Sequence, residues 1–176
     1  MARSLVRWQA AGFLFTGLLG VVFHFLYDWS GENRLVAVIT AVNESTWEHM
    51  KLLFFPMLLF ALVEYLLTGE RYPNFWFAKG AGALLGLFLI PALFYTWNGA
   101  LGPSPDWVNI SIFFVAATAV YGAETRLLQS GRGSGRFWQG LSLVILLLLA
   151  LAFVSWTYAP PQLPLFQDPL TGGCGI

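Results

Sequence analysis

The chain has 176 residues, of which 57% are hydrophobic and 10% charged, against about 25% charged in an ordinary soluble domain. Nine Lys and Arg balance nine Asp and Glu, so nucleic acid is excluded as a partner and a polybasic surface binder is excluded as a class. The lone cysteine, Cys174, excludes an internal disulfide and a thiolate metal site. What fits is an all-α, polytopic helical bundle in a lipid bilayer, a single transmembrane domain over residues 1–176.

A spanning helix needs about 20 mostly apolar residues, each rising about 1.5 Å, to cross a hydrocarbon core of about 30 Å. Five spans are predicted, over about 8–27, 51–68, 75–97, 107–128 and 137–158. Arg3 and Arg7 precede the first as they would in a signal peptide. Its apolar run is too long for one and ends in HFLYDW rather than in small residues, so it reads as a retained helix. The second contains Pro56. The third contains Gly82 and Gly86, a small-xxx-small pair through which a homo-oligomer could form. The fifth is closed by Pro160 and Pro161, and tryptophans fall near the ends of the spans, as in an interfacial belt.

Residues 28–51 do not fit a plain bundle. The apolar stretch from Leu35 to Val42 is too short to span. A continuous helix from Asn33 to Leu67 would be about 52 Å long, well beyond the membrane. The expectation is an outer interfacial or re-entrant helix over about 33–50, which turns near Lys51 into the second span above a polar pocket.

Basic residues set the orientation. With a cytoplasmic N-terminus, Arg3, Arg7, Arg71, Lys79, Arg126, Arg132 and Arg136 lie inside and only Arg34 and Lys51 outside. The expected location is the cell membrane, multi-pass, with the tail 160–176 on the outer side.

The densest ionisable run is Asn43-Glu-Ser-Thr-Trp-Glu-His-Met-Lys51. On a helix, Glu44, Glu48 and Lys51 share one face, and His49 meets it from the edge. His24, with Tyr27 one turn farther along, lies near the outer end of the first span. Three chemistries could use this convergence. His24, Glu44, Glu48 and His49 could hold a divalent metal such as zinc with an open position for hydrolysis, and Glu48, His49 and Glu44 are the candidate catalytic groups of a metal-dependent or acid–base membrane enzyme. The same groups could serve ion or small-molecule binding and transport. They could also form a structural clasp in which Glu44 or Glu48 pairs with Lys51 or Arg34. His24, Tyr27, Asn43, Lys51 and Asp168 are the candidate binding residues around them.

The words NESTWEHMKLLFFP, HFLYDWSG and PLFQDPLTGGCGI resemble a family of small five-helix prokaryotic membrane proteins classed as a domain of unknown function, along essentially the whole chain. The resemblance implies architecture and no activity. Relatives carry a tail of the type PLFxDPxTGxYGI, and Cys174 here takes the place of an aromatic residue, which argues against a shared role for the thiol.

In the tail, PPQLP is stiff and Asp168-Pro169 with Gly172-Gly173 reads as an anchored turn. Leu165 and Phe166 need cover, so the tail is expected to fold over the outer pocket as a lid and bring Asp168 toward Lys51, Arg34 or the histidines. Glu64 is expected to pair near Arg71 or to snorkel at the inner interface. Asp106 is expected to cap the fourth span, with Asn98, Tyr95 and Asn109 adding hydrogen bonds near the pocket.

Overall fold

A computed structural model describes residues 2–176. The apolar runs form five long helices with one short helix between the first two: α1 (Ala2–Trp29), α2 (Arg34–Ala37), α3 (Thr46–Thr68), α4 (Phe75–Leu101), α5 (Asp106–Ser130) and α6 (Arg136–Tyr158). All five long helices are long and apolar enough to cross a membrane. Among the described residues there is no strand, only an isolated bridge between Gln167 and Cys174. One end of the bundle carries the C-terminal tail (the tail end). The other carries the chain start and the 69–74 and 131–135 connections (the loop end).

The most buried helix is α3. It packs against α1 and α4, while α5 lies on α1 and α4, and α6 flanks α4. Phe54, Leu53, Met57, Ala116, Val120 and Phe153 are among the side chains that fill the shared core. Leu143, Val144, Leu147, Leu148 and Leu151 of α6 point outward, as suits a face turned to lipid. Gly82 and Gly86 face inward: a Cβ at Gly82 would lie 2.6 Å from Glu124 Oε1, and one at Gly86 would lie 2.6 Å from Leu53 Cδ2. The glycine pair therefore seats α5 and α3 against α4 within one chain, and its face is not open to a second copy.

The segment between α1 and α3 departs from expectation. In place of a helix over 33–50, four residues of α2, capped by Asn33 through its bond from the Leu35 amide, are followed by turns and an irregular stretch up to Ser45. The break lies before Thr46 and not near Lys51, because Ser45 caps α3: its hydroxyl accepts from the Glu48 amide at 3.3 Å. Ser45-Thr-Trp-Glu48 is the sequence pattern of a capping box. Two residues earlier, Asn43 Oδ1 accepts from the Ser45 amide at 3.0 Å, a local turn that such side chains favour. The Ala41 amide donates to the Phe23 carbonyl at 3.3 Å and ties this stretch to α1 beside His24.

At the loop end, Gln139 of α6 accepts from the amides of Trp76 and Phe77 and so caps α4 from outside. At the start of α5, Pro105 is the cap residue and Asp106 stands in the first turn, where its charge suits the helix N-terminus. Ser104 links Asn98 and Asn109 there, its amide donating to Asn98 Oδ1 and its hydroxyl to Asn109 Oδ1.

Candidate metal centre

The double use of Asn43 and Ser45 as local caps leaves the Glu44 side chain free to turn toward α1. Glu44 Oε2 lies 3.3 Å from His49 Nε2 and 3.7 Å from His24 Nε2. One ligand atom from each of the three residues falls within 4.8 Å of the others, and the two imidazole rings are 5.4 Å apart at their centres. His24 comes from α1, Glu44 from the irregular segment and His49 from the first turns of α3.

The tautomer of His49 follows from its neighbour. Nδ1 lies 3.0 Å from the Ser45 carbonyl, which can only accept, so Nδ1 carries a hydrogen and donates it. Nε2 then presents either a lone pair or a second proton to the Glu44 carboxylate. Two acceptors at 3.3 Å repel, so a proton or a metal ion must lie between them. The hydrogen bond from His49 holds the Glu44 carboxyl below its usual range against the opposing effect of partial burial, with the charges of His49 and His24 acting in the same direction as the bond.

A cleft of about 110 Å³ opens beside these groups, lined by His24, Phe25, Asp28, Ala41, Val42, Asn43 and Glu44. It is large enough for a few waters. His24, His49 and Glu44 are half-buried, so the site is open on one side and closed by protein on the other. Nitrogen and oxygen ligands suit zinc, manganese or iron, at bond lengths near 2.0–2.2 Å for zinc. Such bonds place ligand atoms roughly 3.3–3.6 Å apart in a tetrahedral shell, close to the spacings of Glu44 Oε2 from the two imidazole nitrogens.

Of the four residues expected to ligate together, the structure brings three together and places Glu48 elsewhere. The helical spacing from Glu44 to Glu48 does not apply, because Glu44 precedes the cap and lies outside the helix. Glu48 Oε2 instead accepts from Lys51 Nζ at 2.8 Å and from the Val42 amide at 3.2 Å. Lys51 Nζ donates also to the Ala37 carbonyl and to Thr157 Oγ1, both at 2.8 Å. The Thr157 hydroxyl faces Glu48 Oε1 at 3.1 Å and the Phe153 carbonyl at 2.9 Å. All three hydrogens of the ammonium are used, and Lys51 is completely buried. This is the Glu48–Lys51 clasp, and it joins α2, the irregular segment, α3 and α6.

The tail does fold back, but over the clasp. Phe166 is buried against Trp47 and Trp156, at 4.9 and 5.5 Å between ring centres. Asn43 Nδ2 donates to the Gly175 carbonyl at 3.1 Å, and the Ile176 amide to the Thr157 carbonyl at 3.2 Å. Gly175 has φ +68°, and a Cβ there would lie 2.7 Å from the Thr157 carbonyl, so the docking needs glycine. Asp168 does not reach Lys51, Arg34 or the histidines. Its carboxylate accepts from the Leu170 amide and the Thr171 hydroxyl, both at 2.8 Å, and holds the tail's own turn. Tyr27 is buried in α1 and does not line the cleft.

A second ionic group, at the loop end, was not grouped in the sequence. Lys79 of α4 sits between Glu124 of α5 and Glu64 of α3, 2.5 and 2.7 Å from their carboxylate oxygens, and all three are buried. Gln9 of α1 donates to Glu64 Oε1 at 2.9 Å. Lys79 is thus no loop residue, and Glu64 pairs with it and not with Arg71. The available signal was ionisable residues inside apolar runs, which face the bundle interior and pair.

No curated protein and no solved structure matches the chain. The sequence model of a family of unknown function (DUF6512) matches residues 1–176, and the chain belongs to that family.

Proposed function

We propose that this is a multi-pass membrane protein with a divalent metal centre at its tail end, held by His24 Nε2, Glu44 Oε2 and His49 Nε2, with the cleft supplying the open positions. The observation that carries this reading is the Nδ1 bond from His49 to the Ser45 carbonyl. It aims Nε2 at the Glu44 carboxylate, the orientation that partners of metal-bound histidines impose. Three protein ligands with an open side are the pattern of a catalytic centre, whereas structural zinc sites are closed by four. A bound ion would polarise a small polar ligand or activate water in the cleft. With Lys79 removed from the loops, six of nine basic residues still lie at or near the loop end: Arg3, Arg7, Arg71, Arg126, Arg132 and Arg136. This supports a cytoplasmic loop end and an outward cleft.

The test is elemental analysis of full-length protein purified without a histidine tag, followed by titration with zinc, manganese and ferrous iron. Stoichiometric metal is expected in the wild type, retained in Asp168→Asn and lost in His24→Ala and His49→Ala. Folded wild-type protein that neither carries nor takes up metal overturns the metal centre and leaves Glu44 and the two imidazoles as an acid–base group.

A further inference from the structure

Among the described residues, the loop-end group differs in charge from the other ionic contacts: two carboxylates face one ammonium. Glu64 and Glu124 are fully buried, Lys79 is 1% exposed and Gln9 is 3% exposed. Four helices contribute, since Gln9 comes from α1, Glu64 from α3, Lys79 from α4 and Glu124 from α5. Facing Lys79 from α5 there is also the Tyr121 ring, 5.7 Å away, and from α4 the Phe75 ring, 5.3 Å away. The Tyr121 hydroxyl is engaged with Thr16 of α1 at 2.7 Å. Where α6 packs on α4, Ser142 lies against Gly80. No second cation balances the extra carboxylate among the described residues around Lys79.

The hydrogen bonding is incomplete in the same sense. Glu124 Oε1 and Gln9 Oε1 are buried without a partner. Glu64 Oε2 lies 2.7 Å from Lys79 Nζ, yet it makes no hydrogen bond, so that contact is ionic and poorly angled. Glu124 Oε1 and Gln9 Oε1 are thus acceptors lacking a donor. An ionised pair of glutamates would leave a net negative charge inside four apolar helices, where uncompensated charge is strongly disfavoured. A single hydrogen added to one carboxyl removes the charge and supplies a donor. A metal ion is a poor fit, because the ammonium already stands between the carboxylates. Gly82 keeps room for Glu124, whose Oε1 would be 2.6 Å from a Cβ there.

We propose that Glu64, Lys79 and Glu124 form a proton-binding site at the loop end, in which one of the two carboxyls carries a proton at neutral pH. The site lies at the opposite end of the bundle from the metal centre and does not depend on it.

The experiment is infrared spectroscopy of the full chain in lipid vesicles, in water and deuterium oxide, at about pH 7, where solvated carboxyls are ionised. A protonated-carboxyl band that shifts in deuterium oxide is expected in the wild type. It should vanish in Glu124→Gln or in Glu64→Gln. Should either glutamine variant fail to fold, Glu124→Asp and Glu64→Asp keep the carboxyl and should move the band. A wild-type spectrum with no such band, or a band that neither position alters, overturns the proposal.

Discussion

Lys51 at the tail end and Lys79 at the loop end are both buried lysines in an apolar bundle, but they are completed differently. Lys51 meets one carboxylate, one hydroxyl and one carbonyl, and its three hydrogens are all donated. Lys79 meets two carboxylates, and acceptor oxygens around it remain without donors. The first arrangement is neutral and saturated, so its value is mechanical: it staples α2, α3 and α6 under the tail. The second has an excess acid, so its state depends on a proton. Burial and pairing alone therefore do not separate a staple from a titrating site; the count of charges and donors does.

The largest expected effect tests that distinction directly. Glu48→Gln leaves Lys51 buried without its counter-charge and should cost about 3–5 kcal/mol. Glu124→Gln leaves a one-to-one pair of Lys79 with Glu64 and should cost less than about 1.5 kcal/mol. Thermal unfolding of the two variants in one detergent checks the order. Equal losses would break the comparison.

Phe166→Ala comes next. Truncating a buried phenylalanine costs about 3–5 kcal/mol in soluble cores, and here the loss falls on the cluster with Trp47 and Trp156 that covers the clasp. Hydrogen exchange should rise around residues 46–51, while metal exchange at the cleft stays unchanged, since the tail does not line it. Faster metal exchange would show the tail acting on both sites.

Gly82→Ala should be destabilising by about 1–3 kcal/mol through crowding of Glu124. Gly99, also in α4, has open space where a Cβ would stand, so Gly99→Ala should be neutral or slightly stabilising. The pair of variants, compared by denaturation midpoint, sharpens the assignment of Gly82 to the proton site.

The smallest effect concerns Glu44, whose carboxyl the His49 bond lowers. A lowered acid contributes stability above its ordinary range, near pH 4.3, and loses it as pH falls through the lowered value. Glu44 and its histidine partners are partly exposed, so the contribution is below about 1 kcal/mol. Acid unfolding of wild type and Glu44→Gln should differ above the carboxylate range and converge below it. Metal binding, by contrast, should weaken as pH falls, because protons compete with the ion for the imidazole nitrogens and the carboxylate.

Hydropathy and length alone sufficed for the five long helices, because the requirement of about 20 apolar residues per crossing is local and one-dimensional. The need to cover Leu165 and Phe166 was legible for the same reason. The ends were misjudged where capping decides them: Ser45-Thr-Trp-Glu48 starts α3 ahead of Lys51 and takes Glu44 off the helix face assumed for it. The partners of the charged groups were decided only in three dimensions. Glu48 chose Lys51 and Thr157 over the histidines because α6 delivers a hydroxyl there. Glu64 chose Lys79 because α4 crosses α3 closely. Apolar periodicity reports that a helix is buried on some face, but not which neighbour's carboxylate stands opposite it. That depends on the rotation and spacing of helices packed through residues far apart in the chain.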